Sequence, residues 1–122
     1  MARQIRQVAG VRGEEIVQLN DIKRTLRVDR HDQDFSITIN WHDTDLPACI
    51  LWVLNGGRRN PPFNGAFRAL GVEIVSAAFG LASSISASQG KPFAGRGLLT
   101  AIALKPDSPW STHYRFLVEP LT

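Results

Sequence analysis

The sequence predicts an all-β fold, an antiparallel β-sandwich formed by residues 1–122 as a single domain. Three observations predict it. The apolar runs are short and mostly alternate with period two, the mark of strands with one buried face. Polar turns rich in Pro, Gly, Asn and Asp separate these runs at sandwich-like spacing. Finally, the 122-residue chain is 43% hydrophobic and 20% charged, a composition that builds one globular core and argues against disorder.

The elements follow in order. Residues 14–19 form a candidate first strand. Residues 25–30 (Thr-Leu-Arg-Val-Asp-Arg) and 35–41 (Phe-Ser-Ile-Thr-Ile-Asn-Trp) alternate clearly, and the polar Asp32-Gln33-Asp34 between them predicts a hairpin. On the second of these strands Phe35, Ile37, Ile39 and Trp41 share one face. Ser36, Thr38 and Asn40 share the other, which is expected to be wet. Residues 48–54 are apolar on both faces and predict a central strand, with Pro47 acceptable at its start. The stretch Asn55-Gly56-Gly57-Arg58-Arg59-Asn60-Pro61-Pro62 is a loop. Residues 69–75 and 98–104 are expected to be further central strands. The Ala-, Ser- and Gly-rich stretch 77–89 is expected to be mainly loop with room for a short helix. Residues 112–119 form the last strand, where Tyr114, Phe116 and Val118 alternate with His113, Arg115 and Glu119.

Composition narrows the functions available. The single cysteine, Cys49, can form no intramolecular disulfide and excludes a multi-cysteine zinc site; its apolar neighbours predict a buried thiol. The positively charged start has no apolar run behind it, and no stretch is long enough to span a bilayer, so the expectation is a cytoplasmic protein without membrane contact. A net charge of +3 is spread over scattered arginines without interleaved aromatics, so nucleic acid is not an expected partner. No cofactor and no metal site are expected.

Glu73 is the leading catalytic candidate, because it stands in the otherwise uncharged run Leu70-Gly71-Val72-Glu73-Ile74-Val75. A carboxylate buried there needs a counter-ion, water or a ligand. It reads either as a general base or sugar-hydroxyl acceptor, or as half of an ion pair with Arg68 or Arg96. His42, Asp43 and Asp45 offer ligands for a cation, but turn formation accounts for them. Arg58 and Arg59, beside Gly56 and Gly57, are candidate ligand-binding residues for an anion such as a phosphate, without the lysine or helix of a P-loop. Trp41 and Trp52 are expected in the core. Trp110, in a turn after Pro109, is a candidate platform for a sugar face or a loop anchor.

From Trp41 onward the chain resembles the carboxyl-terminal part of the aldose 1-epimerase (galactose mutarotase-like) family. Three stretches carry the likeness: Leu46-Pro47-Ala48-Cys49-Ile50-Leu51-Trp52, Ala69-Leu70-Gly71-Val72-Glu73-Ile74-Val75, and Leu104-Lys105-Pro106-Asp107-Ser108-Pro109-Trp110 running into His113-Tyr114-Arg115-Phe116. The resemblance implies part of that family's β-supersandwich, a carbohydrate site on a concave sheet, and Glu73 in the position of the base. The family's catalytic histidines and sugar-binding arginine precede the matched region and have no counterpart here, and Ile74 stands where the family often has proline or threonine. What it implies is therefore a domain binding a sugar or sugar phosphate without full mutarotase (isomerase) activity in one chain. The alternative is a non-catalytic protein-interaction or structural domain. A half-sized sandwich leaves sheet edges open, so a homodimer by edge or face pairing is also expected.

Overall fold

A computed structural model describes residues 12–20, 22–87 and 99–121. Its elements are β1 (Gly13–Leu19), β2 (Thr25–Arg30), β3 (Phe35–Trp41), β4 (Ala48–Asn55), β5 (Arg68–Val75), a single helical turn α1 (Ser83–Ser86) and β6 (Tyr114–Pro120). The strands form two antiparallel three-stranded sheets, in the orders β1-β4-β5 and β2-β3-β6. The chain divides into two compact units. The first takes the chain up to Leu19 and Cys49–Glu73; the second takes Asn20–Ala48 and the chain from Ile74 onward. Among the described residues no helix is long and apolar enough to cross a membrane.

The first unit is organised by β4. Its run Ala48-Cys49-Ile50-Leu51 is buried throughout, as is Leu54, so side chains pointing to both faces leave water. That is the environment expected of a strand apolar on both sides, and β4 is indeed central in its sheet. β1 pairs with it in antiparallel register from Gly13 opposite Asn55 to Leu19 opposite Cys49. β5 takes the other side of β4 and is an edge strand, not the central one its apolar sequence predicts. Its side chains have a neighbouring strand on one side only, and Leu70 and Glu73 are exposed. Gly71 marks the close approach to β4, since a Cβ there would stand 3.3 Å from that of Trp52.

The second unit contains the predicted hairpin. Leu26 lies opposite Ile39 and Val28 opposite Ile37, so the apolar alternation of β2 and β3 is in phase. The turn closes through the Gln33 amide, which donates to the Arg30 carbonyl at 3.1 Å, and Asp34 takes a left-handed φ of 55°. β6 pairs along the other side of β3, with Ile37 opposite Val118, Ile39 opposite Phe116 and Trp41 opposite Tyr114. Trp41 is 1% exposed, and its indole Nε1 donates to the Leu46 carbonyl at 2.8 Å, so the ring is buried without stranding its polar atom.

Two expectations in this unit are corrected. The Ser36/Thr38/Asn40 face of β3 is not wet: Ser36 is fully buried, and the other two are half-buried. β3 is the middle strand, so Asp29 and Glu119 flank Ser36, and Arg27 and Leu117 flank Thr38. Residues 99–104 are not a strand. Thr100 instead fastens to α1: its Oγ1 donates to the Ser86 carbonyl at 2.6 Å, and Ser86 Oγ donates to the Thr100 carbonyl at 2.7 Å. Leu104, the last residue of that expected strand, is exposed. Residue 98 lies outside the described residues, as do residues 88 and 89 of the predicted loop; the rest of that loop, residues 77–87, is turn apart from α1.

Candidate functional site

In the first unit the polar side chains converge on Trp52. Register places Ile16 of β1 opposite Trp52 and Glu14 two residues along, on the same face and within diagonal reach. Glu14 Oε1 accepts from Trp52 Nε1 at 2.9 Å and from Arg58 Nε at 2.9 Å. The Arg58 guanidinium lies 5.1 Å from the Trp52 ring centre and 5.5 Å from that of Phe63, and Phe63 makes an edge-to-face contact with Phe67. Trp52 is only half-buried, so it is not the core tryptophan expected; Gly71 approaches its Cβ and ring carbon Cε3, and Arg58 lies over the ring.

The loop that delivers Arg58 explains its glycines. A Cβ on Gly57 would fall 2.5 Å from the Gly13 carbonyl carbon, so only glycine lets the loop lie this close to β1. Gly56 has φ of 68°, and its amide donates to the Phe67 carbonyl at 3.0 Å; the Gly65 amide donates to the Arg58 carbonyl at 2.7 Å. These amides hold the loop closed rather than facing an incoming anion. Arg58 is thus engaged by Glu14 and two aromatic rings. Arg59 is exposed and makes no ion pair among the described residues. The two candidate anion-binding arginines therefore differ: Arg58 has partners within its unit, and Arg59 has no ion pair among the described residues.

Glu73, on the edge strand β5, is exposed. Water solvates its carboxylate, and the burial penalty that would require a partner does not arise. Among the described residues it makes no ion pair with Arg68 or any other cation; Arg96 lies outside them. Cys49 lies beside it. Burial pushes the Cys49 thiol up to about 11, opposed by a hydrogen bond with the Glu73 backbone and reinforced by the Glu73 charge. The buried thiol therefore stays protonated at neutral pH and packs in β4.

In the second unit, Trp110 is 41% exposed with Nε1 3.5 Å from Asp45 Oδ2. The Asp45 amide donates to Asp43 Oδ1 at 2.9 Å and the Leu46 amide to the Asp43 carbonyl at 3.3 Å, the bonds of a turn. These bonds form the turn at Thr44 and Asp45 between His42 and Leu46. His31 and His113 are exposed.

The surface that sequence reasoning did not single out is β6. All seven of its residues are exposed, with Tyr114 at 52%, Phe116 at 59% and Val118 at 63%. Their alternation is visible in the sequence; their exposure is not. Tyr114 and Phe116 form an edge-to-face pair with ring centres 5.5 Å apart. Compared with known proteins, the chain matches no family model, no curated protein and no solved structure.

Proposed function

We propose that this chain is a non-catalytic interaction domain whose working surface is the β6 side of the β2-β3-β6 sheet. One observation carries this reading: a terminal strand of high apolar content is left open to water along its whole length. Monomeric soluble domains rarely leave large apolar side chains grouped in this way unless something covers them. The polar candidates point in the same direction, since Arg58 is already engaged within the fold and Glu73 is a solvated carboxylate.

Substitution separates a docking surface from a misread core. Phe116→Ser at high dilution is expected to change unfolding free energy by less than about 0.5 kcal/mol, as for an exposed site. A loss of more than about 2 kcal/mol would assign Phe116 to the fold's own core and end this reading.

A second reading has one observation in its favour. Trp110 offers a partly exposed indole beside the Asp45 carboxylate, the pairing of apolar face and hydrogen-bond acceptor that suits a sugar ring. Under this reading the domain is a β-sandwich of the galactose mutarotase-like kind that binds carbohydrate without turning it over. Titration with hexoses and hexose phosphates, followed by tryptophan fluorescence in the wild type, Trp110→Phe and Glu73→Gln, tests it. A response that Trp110→Phe abolishes supports the platform; no response to any sugar removes it.

A further inference from the structure

We infer that the partner of β6 is a second copy of this chain, joined edge to edge by an antiparallel β6–β6 pair with its twofold axis at Leu117. This rests on the interaction reading above and adds the partner's identity and register.

The backbone sets which atoms are available. The Leu121 amide donates to the Asp34 carbonyl at 2.9 Å, and the register places Pro120 opposite Phe35. In an antiparallel ladder alternate residues turn their N–H and C=O to the same neighbour. Arg115, Leu117 and Glu119 therefore direct their backbone groups to β3, while Tyr114, Phe116 and Val118 direct theirs outward. β6 ends its sheet, and among the described residues no strand pairs with its outer side. The open ladder belongs to the three most exposed apolar residues of the strand, Tyr114, Phe116 and Val118.

The sequence of β6 is complementary to itself. Antiparallel pairing centred on Leu117 sets Phe116 opposite Val118 and Arg115 opposite Glu119 of the other copy, both twice by symmetry. The outward amide of Phe116 donates to the second Val118 carbonyl and the reverse, and the Tyr114 amide donates to the second Pro120 carbonyl. Pro120 lacks an N–H, so the reciprocal bond to the Tyr114 carbonyl is not made and the ladder ends at this pair. Each arginine faces a carboxylate on the face that also carries Leu117, while Phe116 and Val118 extend the apolar face across the junction. Neighbouring registers lose this match. Centring on Phe116 puts Arg115 opposite Leu117; centring on Val118 puts Glu119 opposite Leu117; an axis between residues opposes outward backbone groups to inward ones. Charge thus selects the occupant and the register together.

Sedimentation equilibrium of the full chain over a wide dilution range tests this through charge exchange. The wild type is expected to dimerise reversibly. Arg115→Glu and Glu119→Arg, each alone, place like charges opposite one another twice and are expected to weaken dimerisation about tenfold or more. Mixed in equal amounts, the two variants restore opposite charges at both pairs, and heterodimers should form with near wild-type affinity. That rescue also shows that the single variants are folded. A wild type that is monomeric at every concentration, as when Arg115 and Glu119 guard the edge against pairing, overturns the proposal. So does a dimer indifferent to the exchanges, or one that mixing does not restore. If Phe116→Ser leaves stability unchanged while no self-association occurs, the interaction reading stands and only the identity of the partner fails.

Discussion

The two units treat their surplus chemistry differently. In the first, the cation most available for a ligand, Arg58, is held by Glu14 and lies over Trp52 and Phe63. In the second, β6 leaves Tyr114, Phe116 and Val118 open to water beside a ladder that no described strand extends. An arginine can be satisfied within a loop and a neighbouring strand, because one carboxylate and an aromatic face are enough. An exposed edge strand leaves its outer amides and carbonyls to water until another backbone extends the ladder. The first arrangement occupies its cation, and the second leaves backbone groups to water.

The largest contrast within the second unit sets buried against exposed aromatics. Trp41→Ala should lower unfolding free energy by about 3–5 kcal/mol in denaturant titration, the penalty for emptying a fully buried large site. Its cross-strand neighbour Tyr114 should tolerate Tyr114→Ser at high dilution with a change within about 0.5 kcal/mol. Equal losses at the two positions would erase the distinction between core and docking surface.

The tightness of the first unit is tested next by Gly57→Ala. Its new methyl would meet the Gly13 backbone at 2.5 Å, so a loss of about 1–3 kcal/mol is expected. Gly13→Ala is the control: nothing lies within 4 Å of its added methyl, and its effect should be small. A pH-dependent effect follows from Cys49. The unfolded thiol releases its proton near the ordinary value of 9.0, whereas the folded thiol keeps it to about 11. The unfolded state then binds fewer protons over that interval, so this contribution to stability is full below pH 9 and declines as pH rises to 11. Relative to Cys49→Ala, the wild type should lose stability over that window, and a parallel pH profile would count against thiol burial. The smallest effect is expected from Arg58→Ala, at about 1 kcal/mol or less, because the ion pair and the ring contacts are partly solvated.

The sequence makes the elements more legible than their exposure. β2, β3 and β6 follow from alternation, β4 and β5 from runs that are largely apolar, and β1 from the candidate run at residues 14–19. The central place of β4 follows from apolar residues on both of its faces. The same argument fails for β5, because Leu70, Val72 and Ile74 read alike on an edge and in the middle of a sheet; partner strands, not composition, decide. It fails for residues 99–104 because Thr100 satisfies its hydroxyl and carbonyl on Ser86, a contact no local pattern signals. Glu73 misleads for a related reason: the run around it is apolar, but its own side chain reaches water. Glu14 is missed because its partners, Trp52 and Arg58, are 38 and 44 residues away along the chain.

Amide hydrogen exchange along β6 at low and high protein concentration probes the docking edge most directly. The account predicts that the inward amides of Arg115, Leu117 and Glu119 are protected at both concentrations. Those of Tyr114, Phe116 and Val118 should gain protection only when the protein is concentrated. Outward amides that exchange rapidly at every concentration, or that are protected even at extreme dilution, would contradict it.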